Sequence, residues 1–289
     1  MHFDSATVHY SFREAGSAPA FPEYQIISTI ARDRHTLLYK ARCRRPVAST
    51  QDTVALKVID CDPKYERQLT ECLRQEARLL QASKHDHVVG FRNFHENDRC
   101  CYLAMEYAEG GSLRDYIDVN GPLQAAEGLA ILHQALRGLE AIHQAGISHG
   151  DVRPETLFFT REQVVKIGGL RAPRMRTREG RSRWAGYPID YLAPEILQGG
   201  ACSVAGDLYA IGSILYELLA GMCPFVGTVG AQLEAKRLGT TPMPTTLSRD
   251  LVPAFHALFD RALAVDPKSR FRSALEFRRT IDSLLHFLV

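Results

Sequence analysis

The chain has 289 residues, 45% of them hydrophobic and 24% charged, with 35 basic against 33 acidic side chains for a net charge of +2. That apolar share supplies a sizeable core for one large domain or two lobes, and so even a charge balance gives no global field for nucleic acid or an acidic membrane. The 7 cysteines are odd in number and form no Cys-x-x-Cys, which excludes a disulfide framework or a zinc site and points to a reducing, cytoplasmic setting.

The first residues, MHFDSATVHY, hold no apolar run of signal-peptide length, and no stretch of about 18 apolar residues predicts a membrane span. Residues 1–21 are polar and without period, and read as a tail. Short strands are predicted at Tyr24–Ile30, Leu37–Arg42 and Thr53–Asp60, separated by polar turns. The third is apolar except for Lys57, which shares a face with Ala55 and Ile59. Taken alone, Lys57 reads as an edge lysine reaching for solvent. A helix follows over Lys64–Ala82, with Leu69, Cys72, Leu73, Glu76 and Leu80 on one face. A carboxylate among apolar neighbours needs a partner, and Lys57 has the right sign.

Two further strands are predicted near His87–Phe94 and Cys101–Tyr107. Glu109-Gly110-Gly111-Ser112 is a turn whose serine can cap a short helix. Beyond it the pattern turns helical, over 124–145, 203–220, 229–238, 251–264 and 273–287. Residues 203–220 are apolar nearly all round, which implies a central buried helix. The expected fold class is therefore α+β: a mostly β lobe with one helix, then a mainly helical lobe.

This organisation resembles the protein kinase superfamily, and six short motifs in the right order carry the resemblance. Val54-Ala55-Leu56-Lys57 looks like the strand lysine motif, with Glu76 at the matching helix position. His149-Gly150-Asp151-Val152-Arg153-Pro154-Glu155-Thr156 resembles the catalytic loop. Ala193-Pro194-Glu195, Asp207 to Gly212, and Asp266-Pro267-Lys268-Ser269-Arg270 resemble the later landmarks, the last arginine pairing with the glutamate of Ala-Pro-Glu in the family. The resemblance implies a kinase-like domain over 22–287, with a five-stranded antiparallel small lobe at 22–107 and a large lobe at 108–287. It puts the catalytic base at Asp151, a phosphate-contacting cation at Arg153, the gatekeeper at Met105, a ceiling at Leu38 and Ala55, and a floor at Phe158, whose ring would fill the adenine pocket.

The departures fall on the chemistry. Phosphoryl transfer is mostly positioning and charge neutralisation, with magnesium held by an Asp and an Asn. The Asn position is Thr156, and the Asp position falls in Val165-Lys166-Ile167-Gly168-Gly169-Leu170, which holds no carboxylate. The stretch Ile30–Lys40, where a glycine-rich phosphate cover belongs, contains no glycine. There Arg32, Arg34 and His35 either offset Asp33 or face water. Gly150 replaces an arginine that often receives an activating phosphate, and Gly186-Tyr187-Pro188 lacks the threonine that supports the base.

The activation segment carries Arg171, Arg174, Arg176, Arg178, Arg181 and Arg183, then the single tryptophan, Trp184. It reads either as a solvated loop or as a docking surface for an acidic partner, with Trp184 as anchor. These departures lead to the expectation of a pseudokinase that binds a protein partner, for instance an active kinase, as scaffold or allosteric regulator. No cofactor or magnesium is expected, and ATP binding is left open at Lys57, Glu76, Met105 and Phe158. The competing expectation is a weak or unconventional Ser/Thr kinase that uses Asp151, Lys57 and Arg153.

Overall fold

The computed structural model describes residues 21–32, 36–45, 52–59, 63–97, 101–170 and 189–288. The tail up to residue 20, the tip of the first turn, and the basic segment with Trp184 and Gly186-Tyr187-Pro188 lie outside the described residues. Phe21 is buried, with its ring edge-on to Tyr102 at 5.5 Å, so the last residue assigned to the tail packs on the small lobe.

Strands β1 (Tyr24–Arg32), β2 (Thr36–Cys43), β3 (Thr53–Ile59), β4 (Phe91–Glu96) and β5 (Cys101–Glu106) form one antiparallel sheet in the order β1-β2-β3-β5-β4. The two-residue pleat of β3 divides its side chains. Val54, Leu56 and Val58 join Tyr24, Ala41, Tyr102 and Ala104 in one cluster. Ala55 belongs to the other, with Leu73, Ala77 and Leu80 of helix α1 (Pro63–Ala82). The buried stripe of α1 runs Leu73, Glu76, Ala77 and Leu80. Cys72, expected on that stripe, is exposed because it lies a quarter turn away from the line those residues define.

The strand expected at His87–Phe94 begins only at Phe91. Residues 87–89 turn to the large lobe instead, where Val89 donates to the carbonyl of Ile167 at 2.9 Å and Ile167 donates to that of His87 at 2.9 Å. Gly138, in helix α3 (Ala125–Gln144), makes this approach feasible: a Cβ there would lie 2.2 Å from the His87 carbonyl oxygen.

Ser112 caps helix α2 (Leu113–Asn120) in a reciprocal capping box with Asp115. The core of the large lobe is helix α5 (Val204–Ala220), where every residue from Gly206 to Leu219 is buried. Helices α3 and α7 (Val252–Ala262) pack on it, α8 (Ala274–Leu288) packs on α3, and α4 (Pro194–Leu197) packs on α6 (Val229–Leu238). A two-stranded ribbon, β6 (Leu157–Phe159) and β7 (Val165–Ile167), follows α3. The architecture is the expected two-lobed α+β arrangement.

Candidate functional site

Lys57 and Glu76 meet. The lysine, flanked in register by Leu38 and Leu103, donates from Nζ to Glu76 Oε2 at 2.6 Å. The Glu76 side chain is 6% exposed and the Lys57 side chain 26%. Two opposite charges that each interrupt an apolar pattern thus satisfy one another and pin α1 to β3.

The loop from His149 is held from below by Asp207 of α5. Its carboxylate accepts from the backbone N–H of His149 and of Gly150, both at 2.8 Å, and from His143 Nε2 at 2.9 Å. The His149 ring donates from Nε2 to the Gly168 carbonyl at 2.8 Å and accepts at Nδ1 from the Asp151 N–H at 3.2 Å. That pattern needs a neutral imidazole, and burial keeps the His149 pKa below the ordinary value.

Asp151 is 3% exposed, and its Oδ1 lies 3.3 Å from Arg153 Nε. Arg153 Nη1 lies 3.6 Å from Glu155, whose other oxygen accepts from Arg114 Nε at 3.4 Å. Arg114 Nη2 also reaches Glu217 at 2.8 Å and the Tyr191 hydroxyl at 2.6 Å. Tyr191 in turn donates to Glu217 at 2.7 Å. Burial, with the nearby Cys223 and Glu217, raises the Tyr191 pKa, so the phenol keeps the proton it donates. A chain of charges therefore runs from Asp151 through α2 to α5. Arg114 was invisible in the sequence, because an arginine in a first helical turn reads as solvated.

The magnesium positions can be tested against their donors. Thr156 is 5% exposed, and its Oγ1 donates within the loop, 3.0 Å from the Asp151 carbonyl and 2.9 Å from that of Arg153. The hydroxyl is thus spent on the loop's own backbone. Its methyl faces the activation segment: a Cβ on Gly169 would lie 3.0 Å from Thr156 Cγ2. At the Asn position of the resemblance, this chain has a threonine methyl set against a bare glycine of the stretch expected to hold the Asp. Among the described residues no group of three or more His, Cys, Asp or Glu side chains could hold a metal ion. Thr156 and Gly169 offer magnesium no carboxylate, the donor it usually takes from protein.

Met105 sits on β5 opposite Ala55, both nearly buried at 7% and 9% exposure. Phe158 lies on β6 opposite Lys166. The edge of its ring, Cε2, is 3.3 Å from where Gly168 would carry a Cβ, so the large side chain at 158 uses space that the glycine leaves. Arg270 is buried and makes a bidentate pair with Glu195 at 2.7 and 2.8 Å, the pairing the resemblance implies. No helix among the described residues is long and apolar enough to cross a membrane.

Comparison with known proteins agrees with this geometry. Residues 40–279 match the family described as protein kinase domain. The chain is 29% identical over 231 residues to the serine/threonine-protein kinase PrkC of Bacillus subtilis, an alignment covering 79% of this chain. It is 29% identical over 234 residues to serine/threonine-protein kinase PknB of Mycolicibacterium smegmatis, covering 78%. With serine/threonine-protein kinase PknL of Mycobacterium tuberculosis it shares 30% over 235 residues, covering 80%. The chain spans 36%, 37% and 59% of the lengths of these three relatives, respectively.

Proposed function

The chain belongs to the protein kinase domain family, and from that membership we propose that it is a pseudokinase, a kinase scaffold that acts by binding a protein partner. The observation that carries this reading is the Thr156–Gly169 contact. One metal position has turned its hydroxyl inward, and the other has no side chain to offer. A triphosphate brought to this loop would meet Arg153 and Lys57 but no carboxylate-held cation, and transfer would lack its main electrostatic stabiliser. The ion pair between Arg153 and Asp151 fits the same reading, since it gives the candidate base a structural task. In this role Met105 and Phe158 line a cleft filled by the protein's own side chains, and Lys57–Glu76 clamps α1 to the sheet. The segment Arg171–Trp184 is the proposed docking surface.

A second reading is that the chain is an active, unconventional Ser/Thr kinase, with Asp151 as base and Lys57 and Arg153 on the phosphates. The intact Lys57–Glu76 pair supports it, and so do the relatives, each of which is named a serine/threonine-protein kinase. Those names weigh toward this alternative more than toward the pseudokinase. The residues at the metal positions weigh the other way, and they belong to this chain.

The two separate in a transfer assay with γ-labelled ATP and magnesium or manganese, scored on a generic basic protein and on the chain itself. The pseudokinase reading expects no more label than Asp151→Asn gives. Transfer by the native chain that Asp151→Asn abolishes would overturn it. Partner docking is a separate claim: charge reversal across Arg174–Arg183 should abolish co-purification of a bound protein, and unchanged association removes that surface.

A further inference from the structure

Helix α6 is inside out. Its buried residues are Gln232 and Lys236, whereas Val229 and Leu238 are 49% and 72% exposed. Lys236 is 0% exposed, and its ammonium points at the first described residues after the basic segment. It donates to the carbonyls of Ile189 at 2.8 Å, Asp190 at 2.9 Å and Leu192 at 2.8 Å. An ammonium has three protons and no acceptor, so all three are committed. One turn earlier Gln232 Nε2 donates to Asp190 Oδ1 at 2.9 Å and to the Gly227 carbonyl at 3.2 Å.

A second cation holds the other end of this stretch. Arg270 binds Glu195 through both carboxylate oxygens and lies 4.8 Å from the centroid of the Tyr209 ring. Lys236 Nζ lies 5.7 Å from the same centroid. Residues 189–195 are thus held near both ends by cations that share one buried aromatic ring, while between them Asp190 is bonded to Gln232 and the Tyr191 hydroxyl to Arg114 and Glu217. The two differ in chemistry, because a guanidinium keeps its charge in proteins and an ammonium can lose its proton.

We propose that Lys236 is a positioning residue for Ile189–Leu192, and that loss of its proton releases one of the three carbonyls and loosens that segment while Arg270 keeps the far end fixed. The neutral amine has two hydrogens and a lone pair, so one carbonyl oxygen would face a lone pair instead of a donor. Burial lowers the Lys236 pKa from 10.5 to about 8, against the opposing pull of Asp190. The other groups facing it are the Cys223 thiol, which burial pushes up to about 12, and Tyr209, whose hydroxyl burial also keeps protonated. Neither becomes an anion in this range, which leaves Asp190 as the facing charge.

The sign of the linkage makes the effect local. Between about 8 and 10.5 the unfolded chain holds the proton that the folded chain has released, so this group adds to global stability as pH rises. The segment should loosen while the fold does not weaken through Lys236. The inference holds for a kinase and for a pseudokinase alike, because it concerns the anchor of the segment and not the chemistry beside it.

The test is an NMR titration of the native chain, labelled at lysine Cε and at the amides of isoleucine, tyrosine and leucine, from about pH 7 to about pH 9.5. The expected result is a Lys236 midpoint near 8, with the amides of Ile189, Tyr191 and Leu192 shifting on the same midpoint. In Lys236→Arg those amides should stay flat across the range. Segment amides that stay flat while Lys236 titrates would overturn the proposal, and so would a Lys236 that keeps its proton to the end of the titration. The native titration decides even if the variant does not fold.

Discussion

Placing a carboxylate at Gly169, within the stretch where the family has its metal-binding Asp, should cost stability, and the amount can be worked from the backbone. Gly169 has φ of +72°, a conformation that costs about 1 kcal/mol or more for a residue with a Cβ. The added Cβ would also lie 3.0 Å from Thr156 Cγ2, close enough that one of them must move by a few tenths of an ångström. Gly169→Asp is therefore expected to lose about 1–2 kcal/mol. Taking an unfolding entropy of about 2.1 cal/mol/K per residue over 289 residues, Tm falls by roughly 2–3 °C. Thr156→Ser keeps the hydroxyl and its bonds to the loop but removes the offending methyl. In that background Gly169→Asp should cost about 0.5 kcal/mol less, as a double-mutant cycle in denaturant would measure. If Gly169→Asp were neutral, or cost the same in both backgrounds, the two positions would not be facing each other as described.

Arg270→Met should remove a fully buried cation from Glu195 and from the carbonyls of Ala264, Ala205 and Val265. Because Glu195 is 27% exposed and can recover water, the loss should lie at the low end for a broken buried pair, about 3 kcal/mol or roughly 5 °C; a loss below about 1 kcal/mol would contradict the anchoring role. Acidification should also weaken the fold through His149 and His87, whose pKa values burial lowers from 6.5. Below that value the unfolded chain takes up protons that the folded rings refuse, so denaturant midpoints should fall from about pH 7.5 to about pH 5.5. They should fall less steeply in His149→Gln, and an unchanged slope would remove His149 from the explanation.

The parts of the site that could be read from the sequence were those where a residue broke a local pattern. Lys57 interrupts an apolar strand and Glu76 an apolar helix face, and the structure joins them. The stretch 203–220 is apolar all round, and α5 is the buried axis of the large lobe. What could not be read depends on contacts between distant segments. The strand expected from His87 loses its first residues because their hydrogen bonds go to β7, under an α3 glycine that gives no sequence signal of its own. On α6 the usual rule points the wrong way, because the carbonyls of Ile189, Asp190 and Leu192 draw in Lys236 and the Asp190 carboxylate draws in Gln232, while Val229 and Leu238 stay exposed. Arg114 gave no sign because, apart from Asp118 on its own helix, its carboxylates Glu155 and Glu217 arrive from a loop and a helix far along the chain. At position 156 the sequence shows a neutral hydroxyl where the family has an Asn; the structure adds that this hydroxyl is committed to the loop and its methyl set against Gly169.

The central claim is that this kinase scaffold has no place for the metal that phosphoryl transfer requires. Its most direct test is unfolding of the native chain with ATP alone and with ATP plus magnesium or manganese. A ligand at a hundredfold excess over its dissociation constant stabilises the folded state by about 2.7 kcal/mol. Adding metal should leave the midpoint where ATP alone puts it. A metal-dependent rise of that size, lost in Lys57→Ala, would contradict the claim and restore the kinase reading.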